Sequence, residues 1–303
     1  MLDLVFLGTG AAVPSRDRAM SSVALRNGPS AILFDCAEGT QRQLMLSPVS
    51  FMKIDAILVT HMHGDHMLGL PGLLQTMGFA GRDRPLTVCG PAGIRRSLEM
   101  LLGACEGEVE YELDVRELSP GESVKVPGAT VTAFATEHGT PSLGYVYDED
   151  PLPGRFDKEK ALELGLMPGP DFAAIQRGES VRGIPPEAIV GPKRPGLRVA
   201  YTGDTVKLDS IADAVSGADV LIHESTYSAA DGGLAKKNLH STCVEAAETA
   251  VKASAKCLIL THISNRYNDT DELLAQSREV FPDTFVAEDM AHFEVCLSGV
   301  RQV

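Results

Sequence analysis

The chain has 303 residues, 44% of them hydrophobic, with a formal charge of −14 at neutral pH and a pI near 5.0. That apolar content suffices for a substantial core in one large or two ordinary domains, and no apolar run approaches membrane-spanning length. The acidic balance argues against broad, non-specific nucleic-acid affinity, which basic patches and counterion release drive, and leaves room for a local basic track.

Residues Met1 to Leu7 lack a basic start and run into Gly8-Thr9-Gly10, so they read as a first strand and not as a signal peptide. A first half extends from Leu2 to about Asp148, with helices expected over Asp65 to Met77 and Ala92 to Gly103 and a short strand at Leu86 to Cys89. From about Glu149 to Pro195, prolines and glycines cluster around two short helical pieces, Asp157 to Leu164 and Asp171 to Arg177. With few core-sized residues, this segment is expected to bury little surface and to project. A second half begins near Pro195, with strands ending at Asp204, His223 and His262 and helices over Ser241 to Lys252 and Thr270 to Val280; Ser241 or Thr242 is a natural cap for the former. Six cysteines show no C-x-x-C pairing, which fits a reducing, intracellular setting and a soluble, cytoplasmic protein.

The chemistry concentrates in Thr60-His61-Met62-His63-Gly64-Asp65-His66, directly after the apolar run Ile54 to Val59. Alternate side chains of extended chain point the same way, so His61 and His63 can grip one cation while Asp65 and His66, beyond the turn at Gly64, face another. Further donors stand where strand-like runs end: His138, His223, His240, His262 and the carboxylate of Asp204. In an α/β sheet the ends of successive strands lie side by side and form a crevice, so these distant residues can converge. His292 is read as a satisfied core or surface histidine, and His223 either as a ligand or as a support for its neighbours.

The set His61-x-His63-x-Asp65-His66 with His138, Asp204 and His262 resembles the metallo-β-lactamase superfamily of binuclear zinc hydrolases. More specific wording narrows the resemblance to the ribonuclease Z family: Phe6 to Pro14, His66 to Leu74, His223-Glu224-Ser225-Thr226, His240-Ser241-Thr242, and Gly165 to Pro170 followed by Gln176-Arg177-Gly178. The resemblance runs essentially end to end. It implies an α/β fold, the αββα four-layer sandwich, as a single domain over 1–303. Residues 149–195 would be an inserted arm, the exosite, that grips the tRNA body, in a homodimer whose arm reaches the tRNA of the other subunit.

The same resemblance implies the site. His61, His63 and His138 would hold a first zinc, Asp65, His66 and His262 a second, with Asp204 bridging; ligand type also admits manganese at one position. Two divalent ions about 3.5 to 4 Å apart can share and acidify a water and neutralise a phosphodiester's developing charge. Asp65 would also be the general base, His240 the proton donor to the leaving 3′ oxygen, and Glu224 the group that orients His240 and raises its pKa. The implied activity is removal of the 3′ trailer from precursor tRNA. Candidate RNA contacts are Arg16 and Arg18, then Arg155, Lys158, Lys160, Arg177, Arg182, Lys193 and Arg194, together with Gly169 and Pro170 of the arm motif. The chain departs from the family at Ala173 to Gly178, which is less basic than usual, and in the wording of the loop Pro14 to Ala19. Two other readings use fewer of these features. A small-molecule phosphodiesterase or arylsulfatase-like hydrolase would use the metals without the arm, and a non-catalytic RNA-binding relative would be expected to have gaps among the seven ligands, where there are none.

Overall fold

The computed structural model describes residues 1–105 and 109–303. The strand Leu2–Gly8 shows how the layers arise. Leu2, Leu4 and Phe6 enter one core while Val5 and Leu7 enter another, because successive side chains leave a strand on opposite faces. A strand apolar on both faces has to be covered on both.

Among the described residues this strand lies in an eight-stranded sheet. The spatial order is Gly299–Gln302, His292–Cys296, Leu2–Gly8, Ser22–Asn27, Ser30–Phe34, Ile54–Leu58, Leu86–Gly90 and Leu113–Glu117. Pairing is antiparallel as far as Ser30–Phe34 and parallel beyond it. A second sheet runs Thr284–Val286, Leu258–Thr261, Val220–Glu224, Arg198–Tyr201, Leu143–Glu149, Ala129–Ala135 and Ser123–Val126, and its first four strands are parallel.

The inner faces of the two sheets meet in a common core that includes Phe6, Phe34, Tyr145, Tyr201, Ile222 and Phe293. The outer face of the first sheet packs the helices Thr40–Leu46, Leu70–Phe79 and Ile94–Ala104 through Leu44, Leu73, Met77 and Leu98. The outer face of the second packs Asp209–Ala214, Cys243–Lys252 and Asp271–Val280 through Ile211, Ala246, Ala250 and Leu273. Helix, sheet, sheet and helix stack as the αββα sandwich expected for an α/β chain of this pattern.

The chain divides into two compact units, Met1–Asp148 with Leu197–Val303, and Glu149–Gly196. The second unit builds a small core of its own from Ala161, Leu166, Ile175 and Ile189, flanked by the rings of Phe156 and Phe172 at 4.8 Å. Its proline and glycine content predicts little burial, and this core is accordingly small. The helices are Lys158–Glu163, capped by Asp157 accepting from the Lys160 amide at 3.0 Å, and Pro170–Gln176.

Two local expectations are corrected, and a third, the cap of Cys243–Lys252, is narrowed to one of its two candidates. The helix expected over Asp65 to Met77 is broken into Gly64–Met67 and Leu70–Phe79. The break lies at Gly69, whose amide donates to the Cys36 carbonyl at 2.9 Å and where any Cβ would fall 2.0 Å from the Ala37 carbonyl oxygen. His240 does not end a strand: the helix Gly232–Asn238 precedes it and stops at Leu239, a left-handed residue with φ 59°. The cap of Cys243–Lys252 is Thr242, in a reciprocal capping box with Glu245, while Ser241 donates to the Thr205 carbonyl. No helix among the described residues is long and apolar enough to cross a membrane.

Candidate metal centre

Parallel strands deliver their C-terminal ends to one edge of a sheet, and the site stands there. Ile54–Leu58 feeds the turn carrying His61, His63, Asp65 and His66; Arg198–Tyr201 leads to Asp204, and Leu258–Thr261 to His262. His138 follows Ala129–Ala135. These seven residues converge. Asp204 Oδ2 lies 3.3 Å from His66 Nε2 and from His262 Nε2, 3.6 Å from His138 Nε2 and 3.9 Å from His61 Nε2. Asp65 Oδ2 is 3.6 Å from His262 Nε2 and 3.8 Å from His66 Nε2.

Donor atoms gather into triads within 4.8 Å of one another, among them His61, His63, His138 and Asp65, His66, His262, while Asp204 joins His61 and His66 in a third. Neutral imidazole with carboxylate is a donor set suited to a divalent cation. The fit is tested by what the protein leaves unsatisfied. His66 Nε2, His262 Nε2 and Asp204 Oδ1 are buried without a hydrogen-bond partner among the described residues, although buried polar atoms are nearly always paired. Such atoms, brought this close, fit a cation between them.

The outer ring nitrogens are held from behind. His66 Nδ1 lies 2.8 Å from Asp35 Oδ2, and His138 Nδ1 lies 2.8 Å from the Leu239 carbonyl. Both partners only accept, so the proton sits on Nδ1 and Nε2 faces the centre as a lone pair. Thr60 Oγ1 meets His61 Nδ1 at 3.0 Å, and Thr226 Oγ1 meets His262 Nδ1 at 2.8 Å. Asp35 is the hub of this scaffold: it also accepts from the Thr60 amide and hydroxyl and from the Tyr201 hydroxyl.

Electrostatics follow the same geometry. Burial, helped by the neighbouring His66, pushes His61 down to about 2 and keeps it a neutral donor. Burial works against a charged His66 as well, but Asp204 and Asp35 on its two sides outweigh it and hold its pKa well above the usual range. An imidazole between two carboxylates calls for positive charge at its open nitrogen, which a metal supplies in place of a proton. Burial raises Asp204, yet His262 and His66 prevail and keep it well below the carboxylate range.

His240 Nδ1 lies 2.9 Å from Glu224 Oε1 and 4.0 Å from Asp204 Oδ2. Burial lowers its pKa, but Glu224 overrides this and brings it up to about 9. Glu224 is fixed by the Thr205 amide at 2.8 Å and the Thr226 hydroxyl at 2.7 Å.

His223 is outside these donor groups and points its Nδ1 at the Glu224 carbonyl; burial lowers its pKa. His292 pairs with Asp3 at 3.2 Å. Of the residues expected to meet RNA, Arg16 is exposed, but Arg18 turns inward, donating to Thr9 Oγ1 at 2.6 Å and to the Ala287 carbonyl at 2.9 Å. Gly169, Pro170 and Arg177 belong to the second unit; Gly169 adopts φ 103° before the helix, and Arg177 pairs with Glu179 at 2.7 Å.

Comparison with known proteins gives this constellation a family. The β-lactamase superfamily domain matches residues 30–166. A ribonuclease Z of Methanosarcina mazei is 45% identical over 302 residues, covering 97% of this chain and 98% of that protein. The chain belongs to the ribonuclease Z family. A ribonuclease Z of Bacillus licheniformis is 41% identical over 97% of this chain and 99% of that protein. The crystal structure of human tRNase Z, short form, superposes with a TM-score of 0.72 at 30% identity, over 97% of this chain and 100% of that one. As a ribonuclease Z family member the chain is a metal-dependent hydrolase, and the converging donors form groups that could hold a metal ion.

Sequence reasoning missed Asp35, Thr60, Thr226 and Leu239 as supports of the site. Asp35 carried a usable signal: like Asp204, it is a carboxylate at the end of an apolar strand, Ser30–Phe34. The others act through a hydroxyl or a backbone carbonyl, which residue type does not announce. Asp35→Ala should lower metal affinity by about 10- to 100-fold, as loss of a hydrogen-bonded support for ligands typically does. Chelator-competition titration of the purified protein checks this, and unchanged affinity would remove Asp35 from the scaffold.

Proposed function

We propose that this chain is a zinc-dependent endoribonuclease that removes the 3′ trailer from precursor tRNA and leaves a 3′ hydroxyl on the tRNA. The observation that carries the reading is the single oxygen, Asp204 Oδ2, faced by the Nε2 atoms of His61, His66, His138 and His262. The relatives named ribonuclease Z and tRNase Z supply the substrate class. On this reading His61, His63 and His138 would hold one zinc and Asp65, His66 and His262 the other, with Asp204 as a further donor.

When bound, such ions neutralise charge on the phosphodiester and acidify the attacking water. The protein's own groups do the rest. Asp65 Oδ2, kept ionised by its histidine neighbours against the effect of burial, accepts the proton of the water that attacks phosphorus. Glu224 at Nδ1 keeps the His240 ring protonated on both nitrogens, and the Nε2 proton passes to the departing 3′ oxygen of the tRNA, leaving Nδ1–H on Glu224. The trailer leaves with the phosphate.

Residues 149–195 are read as the arm that grips the tRNA body. The second unit carries seven basic and eight acidic residues, so nearly all the net negative charge of the chain lies outside it. Arg155 and Lys160 line a common cavity there with Asp157 and Glu187. The homodimer is read onto the helices Thr40–Leu46 and Leu70–Phe79, which Gln41 and Thr76 join at 2.7 Å. They leave Met45, Leu46 and Phe79 exposed at 58, 59 and 83%. The location is read as cytoplasmic.

His240→Ala should cut turnover on precursor tRNA by about 10²- to 10⁴-fold, the usual contribution of a positioned acid, with zinc content unchanged. His63→Ala should instead lower bound zinc. Single-turnover kinetics beside metal analysis separates the two, and a His240→Ala protein that loses its metal contradicts the proton-donor role. Deleting 149–195 should abolish precursor cleavage while hydrolysis of a small nitrophenyl phosphodiester persists; loss of the first with the second intact is what the arm reading requires. Replacing Leu46 and Phe79 together by Glu should turn a dimer into a monomer in light scattering, and an unchanged mass would move the interface elsewhere.

A further inference from the structure

The N-terminal turn between Gly8 and Met20 reaches the metal centre twice. Its Ala12 amide, on a left-handed residue with φ 57°, donates to Asp65 Oδ2 at 2.9 Å. Its Thr9 carbonyl accepts from the Ile263 amide at 2.8 Å, and Gly10–Ala11 then pairs with Ile263–Ser264 as a two-stranded sheet, directly after His262. Two of the three donors in the Asp65, His66, His262 triad are therefore tied to this turn.

What holds the turn is a carboxylate outside the site. Asp289 Oδ1 accepts from the Thr9 amide at 3.0 Å and from its hydroxyl at 2.8 Å. Asp289 Oδ2 accepts from the Ala19 amide at 2.6 Å and from Gln43 Nε2 at 3.1 Å, so one side chain closes both ends of the turn. Arg18 completes the clasp by donating to Thr9 Oγ1 and to the Ala287 carbonyl. Thr9 is fully buried. The backbone at the base allows no slack: a Cβ on Gly8 would lie 1.9 Å from the Met20 carbonyl oxygen.

We propose that Asp289 is a positioning residue for one metal position only: through Thr9 and Ala19 it fixes the turn whose Ala12 amide orients Asp65 and whose Gly10–Ala11 strand aligns His262. The inference rests on the two-ion reading above. His61 and His138 take their outer hydrogen bonds from Thr60 and Leu239, not from this turn, so the other position is independent of the clasp. Arg18 thereby has a structural task in place of an RNA contact.

The test is Asp289→Asn, which keeps the shape but turns an acceptor into a donor facing donors on either side. Crystals of the full chain at limiting zinc, measured by anomalous scattering, should show the Asp65, His66, His262 position depleted and the His61, His63, His138 position filled. Competition with a chelator should give about a 10- to 100-fold loss at the first and none at the second. Thr9→Val removes only the hydroxyl links and should give a smaller loss at the same position; it decides the matter if the Asn variant does not fold. Equal occupancy of both positions with merely a lower melting temperature, or equal loss from both, overturns the proposal. Wild-type protein with zinc at neither position would instead overturn the two-ion reading beneath it.

Discussion

Asp204 Oδ2 stands within 4.0 Å of ring nitrogens from five histidines, and this buried concentration of polar groups is the constraint to which the rest of the structure answers. Burying charged groups costs several kcal/mol each where they lack partners, a cost that a cation among them and hydrogen bonds to the outer atoms would offset. The protein supplies the second of these itself. Asp35, Thr60, Leu239 and Thr226 each engage the outer nitrogen of a different imidazole, and Asp35 anchors Thr60 and Tyr201 as well.

Holding those supports in place strains the backbone. Ala12, Asp35, Leu239 and His262 are all non-glycine residues with positive φ, between 56° and 59°. Each carries a site contact: the amide to Asp65, the hub carboxylate, the carbonyl to His138, and a donor nitrogen. A left-handed conformation at such residues costs about 1 kcal/mol or more each and persists where surrounding contacts over-determine it. Here the flanking sheets do so, because each turn leaves directly from a buried strand or a helix end.

The His240–Glu224 pair and the converging histidines and carboxylates form one fabric. Thr226 Oγ1 touches Glu224, His240 and His262, so the group that engages the outer nitrogen of His262 also borders the His240–Glu224 pair. Leu239 supplies its carbonyl to His138 and is followed at once by His240. Small displacements of the Gly232–Asn238 helix end would thus be felt at both. The acidic character of the whole chain need not oppose this chemistry, since bound cations would be the largest local charges acting on a phosphodiester.

The sequence by itself determined the candidate donors, with the family resemblance singling out seven among the histidines and carboxylates it offered. Histidines and carboxylates at the ends of apolar runs are chemically legible, and His61, His63, Asp65, His66, His138, Asp204 and His262 could be picked out with no coordinates. It also determined the two halves, the intervening segment and the alternation that makes two sheets. Only the tertiary structure decided what lies behind the donors, because Thr60, Thr226, the Leu239 carbonyl and the Ala12 amide act through common groups whose role is purely one of place. It likewise decided the break at Gly69, forced by a carbonyl 32 residues earlier at Ala37, and the inward turn of Arg18. Residue type and spacing report local preference; which backbone atom meets which side chain across the sandwich is fixed by long-range packing.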